Sequence, residues 1–265
     1  MTGADNPSER LEMLARTLFD AQERRIPVPP LSEVDASLTV SDAYAIQHLN
    51  IGRRIEGGRR RVGRKIGLTS RAMQQALGVY EPDFGVLLDD MFVEDWDAVP
   101  STELIQPRIE AEISLVMGKD LAGPGVNAVG ALRAIDSACA SLEIIDSRIV
   151  DWRIALTDTI ADNASSGRCV VSAKPMLMTD LNLPLIGMAI AINGTVVDTG
   201  AGAAALGNPI RCVAWLANKL AEFGERLHAG EIILAGALHR AVPVKAGDVV
   251  VAEFDRLGAV HTRFI

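Results

Sequence analysis

The sequence predicts an α+β fold in which a helical N-terminal region precedes a strand-rich body. Three observations carry this. Leu11, Leu14, Ala15 and Leu18 recur at helical spacing. From Phe84 onward the texture changes to short apolar runs rich in β-type residues. Those runs do not alternate regularly with helices, which argues against a doubly wound sheet. The chain has 265 residues, 49% of them apolar, enough for one large core or two modest ones. The expected division is a helical region over 1–78 and a strand-rich catalytic body over 79–265, together one compact unit.

In chain order, Pro27, Pro29 and Pro30 end the first helix. Ser41 is suited to cap a second, with Ala45, Ile46 and Leu49 on one face, running toward Gly57-Gly58. Arg59, Arg60 and Arg61 read as a solvated turn. Ser70 opens a short helix expected to run through Leu77 and stop at Gly78. Strands are expected at Ile109–Met117, Leu142–Ile145, Arg168–Ser172, Gly187–Ile192, Glu231–Leu234, Val249–Phe254 and Ala259–Phe264. Asn193-Gly194 between apolar runs signals a type I′ hairpin. Two helices interrupt the strands, one from about Asn127 to Ala138. The other starts at Asn208-Pro209, a cap followed by a proline at the first helical position, and ends at Gly224.

Composition narrows the partners. Aromatic content is 4%, so the core is mostly Leu, Ile, Val and Ala. A net charge of -8 and a pI near 5.1 disfavour nucleic acid and anionic membrane, since phosphate binding needs a basic surface. No apolar run approaches the length of a membrane span. The first residues show no signal core, and a cytoplasmic protein is expected. Cys139, Cys169 and Cys212 fit neither a disulfide framework nor a zinc spacing and read as buried thiols. The four histidines are scattered and read as surface or satisfied core residues.

The acidic residues carry the chemistry. In a strand, Glu110 and Glu112 share one face, and Ile109, Ala111 and Ile113 the other. Adjacent carboxylates repel unless they share a proton or bind a cation; the plainer alternative is a solvated acidic face. Glu143 lies inside the apolar run Leu142–Ile145, where a carboxylate needs a cation or a hydrogen-bonded partner. Three carboxylates suit a hard ion such as Mg²⁺ or Mn²⁺. Lys65 is either a surface lysine or a group that anchors a carboxylate or moves a proton, and Asp83 either a turn former or a general acid or base. Gly200 to Gly207 is glycine-rich without the nucleotide-binding pattern, so a tight turn or a close backbone approach explains it.

Several stretches together resemble the 2-keto-4-pentenoate hydratases, on the hydratase/decarboxylase branch of the fumarylacetoacetate hydrolase superfamily. They are Gly63-Arg64-Lys65-Ile66-Gly67-Leu68-Thr69, Glu81-Pro82-Asp83-Phe84-Gly85, Gln106-Pro107-Arg108-Ile109-Glu110-Ala111-Glu112, Glu143 with Ser147-Arg148-Ile149, and Ala161-Asp162-Asn163-Ala164-Ser165. The resemblance runs from about Ala43 to the C-terminal Ile265. It implies a mixed, rolled β-structure with a helical N-terminal extension. It implies Mg²⁺ or Mn²⁺ on Glu110, Glu112 and Glu143, with Lys65 and Asp83 beside the reacting chain. Leu68, Thr69 and Ser165 would help hold a small 2-oxo or 2-enol carboxylate, and the protein would be a homo-oligomer.

The implied reaction is hydration of 2-hydroxypenta-2,4-dienoate to 4-hydroxy-2-oxopentanoate, in meta-cleavage degradation of aromatic compounds. Sibling activities are 4-oxalocrotonate decarboxylase and hydratases of related 2-oxo acids. The decarboxylases tend to carry an apolar residue where this chain has Asp83. Extra residues after the Ser-Arg region mark the hydratase for the longer dioate, and this chain runs directly from Ser147-Arg148 to Asp151-Trp152. A non-enzymatic 2-oxoacid or cation-binding protein is the alternative from another class; losing Lys65 or Asp83 would suggest it, and both are present.

Overall fold

The structure is a computed structural model and describes residues 7–71, 74–75 and 78–265. Helix α1 (Pro7–Arg24) buries Leu14, Ala15 and Leu18, the stripe expected from spacing. A single turn, α2 (Leu31–Val34), leads to α3 (Val40–Glu56). The cap of α3 is Thr39, two residues ahead of the expected Ser41. The Asp42 amide donates to Thr39 Oγ1 at 3.1 Å, and the Asp42 carboxylate accepts from the Thr39 amide. Buried Gln47 on α3 donates to Phe84 O at 3.0 Å and Ile160 O at 2.9 Å. The N-terminal helices thereby brace the segment that carries Asp83.

The strands are β1 (Arg61–Gly67), β2 (Asp83–Leu88), β3 (Phe92–Val93), β4 (Ala98–Val99), β5 (Arg108–Met117), β6 (Ile135–Ile145) and β7 (Ser166–Val171). After them come β8 (Met176–Leu177), β9 (Gly187–Ile192), β10 (Thr195–Ala201), β11 (Ile232–Ala237), β12 (Val242–Pro243), β13 (Val249–Phe254) and β14 (Gly258–Phe264). Among the described residues one sheet runs β2-β1-β11-β5-β6-β7-β3, with β12 added to β5 and β8 to β6. A second runs β10-β9-β13-β14-β4, and β13 and β14 pack on β6. The first sheet is mixed, since β1 lies parallel to β11 while β5, β6 and β7 are antiparallel. Helices α4 (Ala128–Ala134), α5 (Leu156–Ala161) and α6 (Pro209–Ala221) complete the fold.

Several expectations are corrected. Arg61 to Gly67, placed with the helical region, is a strand of the large sheet. Arg59, Arg60 and Arg61 are all exposed, and they pair with Asp90, with Asp89 and with Glu225 and Glu231 respectively. The helix from Asn127 stops at Ala134 and turns directly into β6, so residues 135–138 are strand. Their ladder with β5 fixes them: Val116 opposes Ser137 and Leu115 opposes Ala138. Helix α6 has the expected Asn208 cap, donated to by the Ile210 amide at 3.0 Å, but ends at Ala221 rather than Gly224. The helix expected from Ser70 to Leu77 falls partly outside the described residues; Arg71, Gln74 and Gln75 are helical. Asn193 and Gly194 both take positive φ, as a type I′ turn requires. Gly200 is a close approach: a Cβ there would lie 2.1 Å from Leu238 O. The three cysteines are free and buried.

Candidate active site

Strand β5 sorts its side chains by alternation. Ile109, Ala111 and Ile113 are fully buried in the core, while Arg108, Glu110 and Glu112 face a cavity of about 410 Å³. On β6, Glu143 stands directly opposite Glu110, a cross-strand pair whose side chains share a face. One carboxylate oxygen from each of Glu110, Glu112 and Glu143 lies within 4.8 Å of the others. Glu112 is held from outside: the Gly236 amide donates to its Oε2 at 2.8 Å.

Strand β1, separated from β5 by β11, brings in a cation. Lys65 is buried and donates to Ala164 O at 2.9 Å, with its Nζ 3.1 Å from Glu143 Oε1. Neither oxygen of Glu143 has a hydrogen-bond partner of good geometry, so the contact with Lys65 is an ion pair more than an aligned hydrogen bond. Burial works against the Lys65 charge, yet Glu143 and Asp83 keep the ammonium firmly protonated. The carboxylates move the other way. Burial first, and then Glu143, push Glu110 up to about 7. Glu112 is raised well above the usual range for the same two reasons, and burial raises Glu143 against the pull of Lys65.

Asp83 opens β2 opposite Gly67, at the end of β1. Its Oδ2 accepts from Thr159 Oγ1 at 3.3 Å, and its Oδ1 has no partner. Burial raises the carboxyl despite Lys65. Gly67 is required here, because a Cβ on it would stand 2.2 Å from Asp83 Oδ1. Leu68, Thr69 and Ser165 line the same cavity. Leu68 and the run Asn163, Ala164 and Ser165 all have left-handed φ, between 51° and 56°. Such strain persists only where surroundings hold it. The Asn163 carboxamide is tied to Val86, accepting from its amide at 2.7 Å and donating to its carbonyl at 2.9 Å. Buried Arg148 donates to Asp162 and to Ser166 O.

The structure thus brings all eight residues singled out from sequence to one locality. It adds Arg108, Trp152, Thr159, His239 and Arg240 to the cavity wall. The Arg108 guanidinium lies 4.5 Å over the Trp152 ring, whose Nε1 donates to Gln106 O at 3.0 Å. Arg108 could have been found by extending the alternation of Glu110 and Glu112 one step back; His239 had no such signal.

Residues 65–265 match the family described as fumarylacetoacetate (FAA) hydrolase, C-terminal. The chain belongs to the fumarylacetoacetate hydrolase family. Within that family it falls with the 2-keto-4-pentenoate hydratases. A protein of that name from Paraburkholderia xenovorans (strain LB400) is 47% identical over 258 residues, 97% of this chain and 96% of the relative. A 2-hydroxypent-2,4-dienoate hydratase of Pseudomonas putida is 45% identical over 80% of this chain and 96% of its own. Among solved structures, 4-oxalocrotonate decarboxylase from Pseudomonas putida G7, complexed with magnesium and adipate, superposes with a TM-score of 0.94. It is 39% identical and covers 97% of this chain and 98% of its own.

A hard divalent cation suits the three-glutamate site of this family member on the chemistry of the donors alone. Three carboxylates converge, one of them without a well-formed hydrogen bond, and each is pushed toward its protonated form by burial, Glu110 and Glu112 also by the neighbouring Glu143.

Proposed function

We propose that this protein is a divalent-metal-dependent hydratase that converts 2-hydroxypenta-2,4-dienoate to 4-hydroxy-2-oxopentanoate. The observation that carries the proposal is the convergence of Glu110, Glu112 and Glu143 beside Lys65 and Asp83 at one cavity. The relatives' names support the substrate class. Glu110, Glu112 and Glu143 would hold Mg²⁺ or Mn²⁺, which when bound supplies Lewis acidity toward the 2-oxygen and carboxylate of the substrate.

The remaining work falls to the protein. Lys65 keeps its proton and, with Arg108 and Arg240 on the same wall, sets positive charge against the carboxylate cluster, favouring an anionic substrate. Asp83 is the group suited to move a proton, because its carboxyl faces the cavity with one oxygen unpartnered and burial raises it above the usual carboxylate range. Oδ1 has no hydrogen-bond partner and lies against Gly67, while Thr159 holds Oδ2. The reaction needs a proton delivered to the terminal diene carbon and water added at C4. Leu68, Thr69 and Ser165 shape the wall that holds the chain in reach of Asp83. A homo-oligomer in the cytoplasm belongs to the same reading; light scattering measures the first part of it.

The test is to mix chelator-stripped protein with the dienoate, with and without Mg²⁺, and follow its ultraviolet absorbance. Metal-dependent loss of absorbance and appearance of the 4-hydroxy-2-oxo acid are expected. A dienoate left intact in the presence of metal refutes the assignment. A second reading, 4-oxalocrotonate decarboxylase, is favoured by the 0.94 TM-score to that enzyme. Release of carbon dioxide from oxalocrotonate, without hydration of the dienoate, selects it.

A further inference from the structure

Beside Glu110 and Glu112, the ladder on one edge of β5 has a gap. Glu112 opposes Ala237 of β11, and the Leu238 amide donates to Ala111 O at 3.0 Å. Pairing resumes at Ile109 and Arg108, opposite Val242 and Pro243 of β12. Residues 239–241 between them leave the ladder, so no strand carbonyl is offered to the amide of Ala111. That residue is fully buried, and an orphaned amide there would be costly. A side chain fills the gap: the Ala111 amide donates to His239 Nε2 at 2.8 Å. A ring nitrogen that accepts carries no proton, so the imidazole is the neutral tautomer with its proton on Nδ1. The side chain is fully buried, and Nδ1 faces Asp198 Oδ2 across 3.9 Å.

We infer that His239 is a positioning residue for the metal site, standing in for a strand carbonyl and fixing the peptide between Glu110 and Ala111. This rests on the reading of Glu110, Glu112 and Glu143 as metal ligands. The peptide it holds lies between two of the three ligands. Without an acceptor the Ala111 amide turns toward another partner, and both flanking carboxylates turn with it. The end of β11, just ahead of this connection, also supplies the Gly236 amide to Glu112. One short segment therefore sets the aim of two carboxylates, as supporting hydrogen bonds do for metal ligands generally. The imidazole takes no proton in this role and need not touch the substrate.

The test is a Mn²⁺ titration of the chelator-stripped full chain, read calorimetrically, for the unsubstituted protein and four variants. His239→Leu and His239→Ala remove the acceptor. His239→Gln puts a carbonyl oxygen where Nε2 was, and His239→Asn puts one too short to reach. Leu, Ala and Asn are expected to weaken Mn²⁺ binding by about 10–100-fold, and Gln to restore most of the loss. The Mn²⁺ needed for half-activity should rise in the same order. Wild-type affinity in any folded acceptor-free variant would overturn the role of His239. If Leu and Ala fail to fold, equal affinities for Gln and Asn would overturn it. An unsubstituted protein that binds no Mn²⁺ would instead overturn the metal reading itself, and the role of His239 with it.

Discussion

Replacing Gly236 by alanine tests how tightly the site is built. Gly236 has φ +109°, a conformation that costs an L-residue about 1–3 kcal/mol. A Cβ would lie 2.2 Å from Thr69 Oγ1, 2.5 Å from Cγ2 and 2.8 Å from Cβ. Thr69 is 3% exposed and has nowhere to retreat without moving its backbone, so overpacking adds about 1–3 kcal/mol. The two terms together give about 2–6 kcal/mol, which at about 2–4 °C per kcal/mol lowers Tm by roughly 4–24 °C. The amide of Gly236 also donates to Glu112 Oε2 at 2.8 Å, so backbone movement that relieves the clash draws that donor away from a proposed metal ligand. Thermal unfolding by circular dichroism and a Mn²⁺ titration read the two effects. Unchanged Tm and unchanged Mn²⁺ affinity in Gly236→Ala would refute the reasoning.

Three further outcomes are expected. Asp83→Asn should keep Mn²⁺ affinity but slow turnover of the dienoate by about 10²–10⁴-fold; wild-type turnover would remove Asp83 from the mechanism. Lys65→Met leaves the Glu143 carboxylate buried without its cation and should cost about 3–5 kcal/mol in urea unfolding of the metal-free protein. Mn²⁺ should recover more stability in that variant than in the unsubstituted protein, and an equal gain in both would contradict the shared role of the two cations. Glu225, hydrogen-bonded first by His48 and then by Arg64 and Arg61, is held down at about 2. A carboxyl depressed in the folded state stabilises above its ordinary range and loses that contribution as pH falls toward 2. Glu225→Gln should therefore cost about 1–3 kcal/mol at pH 7, and the difference should shrink by pH 3; a constant difference in urea unfolding would show that the charge is not responsible.

How much of this was legible in the sequence differs by residue. Alternation alone put Glu110 and Glu112 on one face, and the apolar run around Glu143 marked it as a buried acid needing a partner. Their meeting was not legible, because it depends on the β5–β6 register that sets Glu110 opposite Glu143. Lys65 was ambiguous by spacing, since Gly63, Arg64, Lys65 and Ile66 are all buried and a strand covered on both faces shows no alternation. The resemblance, not the pattern, raised Lys65 and Asp83 to site residues. Ile135 to Ala138, at the start of β6, read as helix because Ile135 continues the helical spacing of Val129 and Leu132, and pairing with β5 overrides that pattern. His239 was invisible, because its importance comes from a gap in a ladder formed by segments over a hundred residues apart.

The central claim is that three glutamates from two neighbouring strands hold one divalent ion. Its most direct test is the stoichiometry and affinity of Mn²⁺ binding to chelator-stripped protein, compared across Glu110→Gln, Glu112→Gln and Glu143→Gln. One ion per chain, with affinity falling in all three variants, is the expected result. Binding that survives unchanged in Glu143→Gln, the ligand contributed by the second strand, would contradict it.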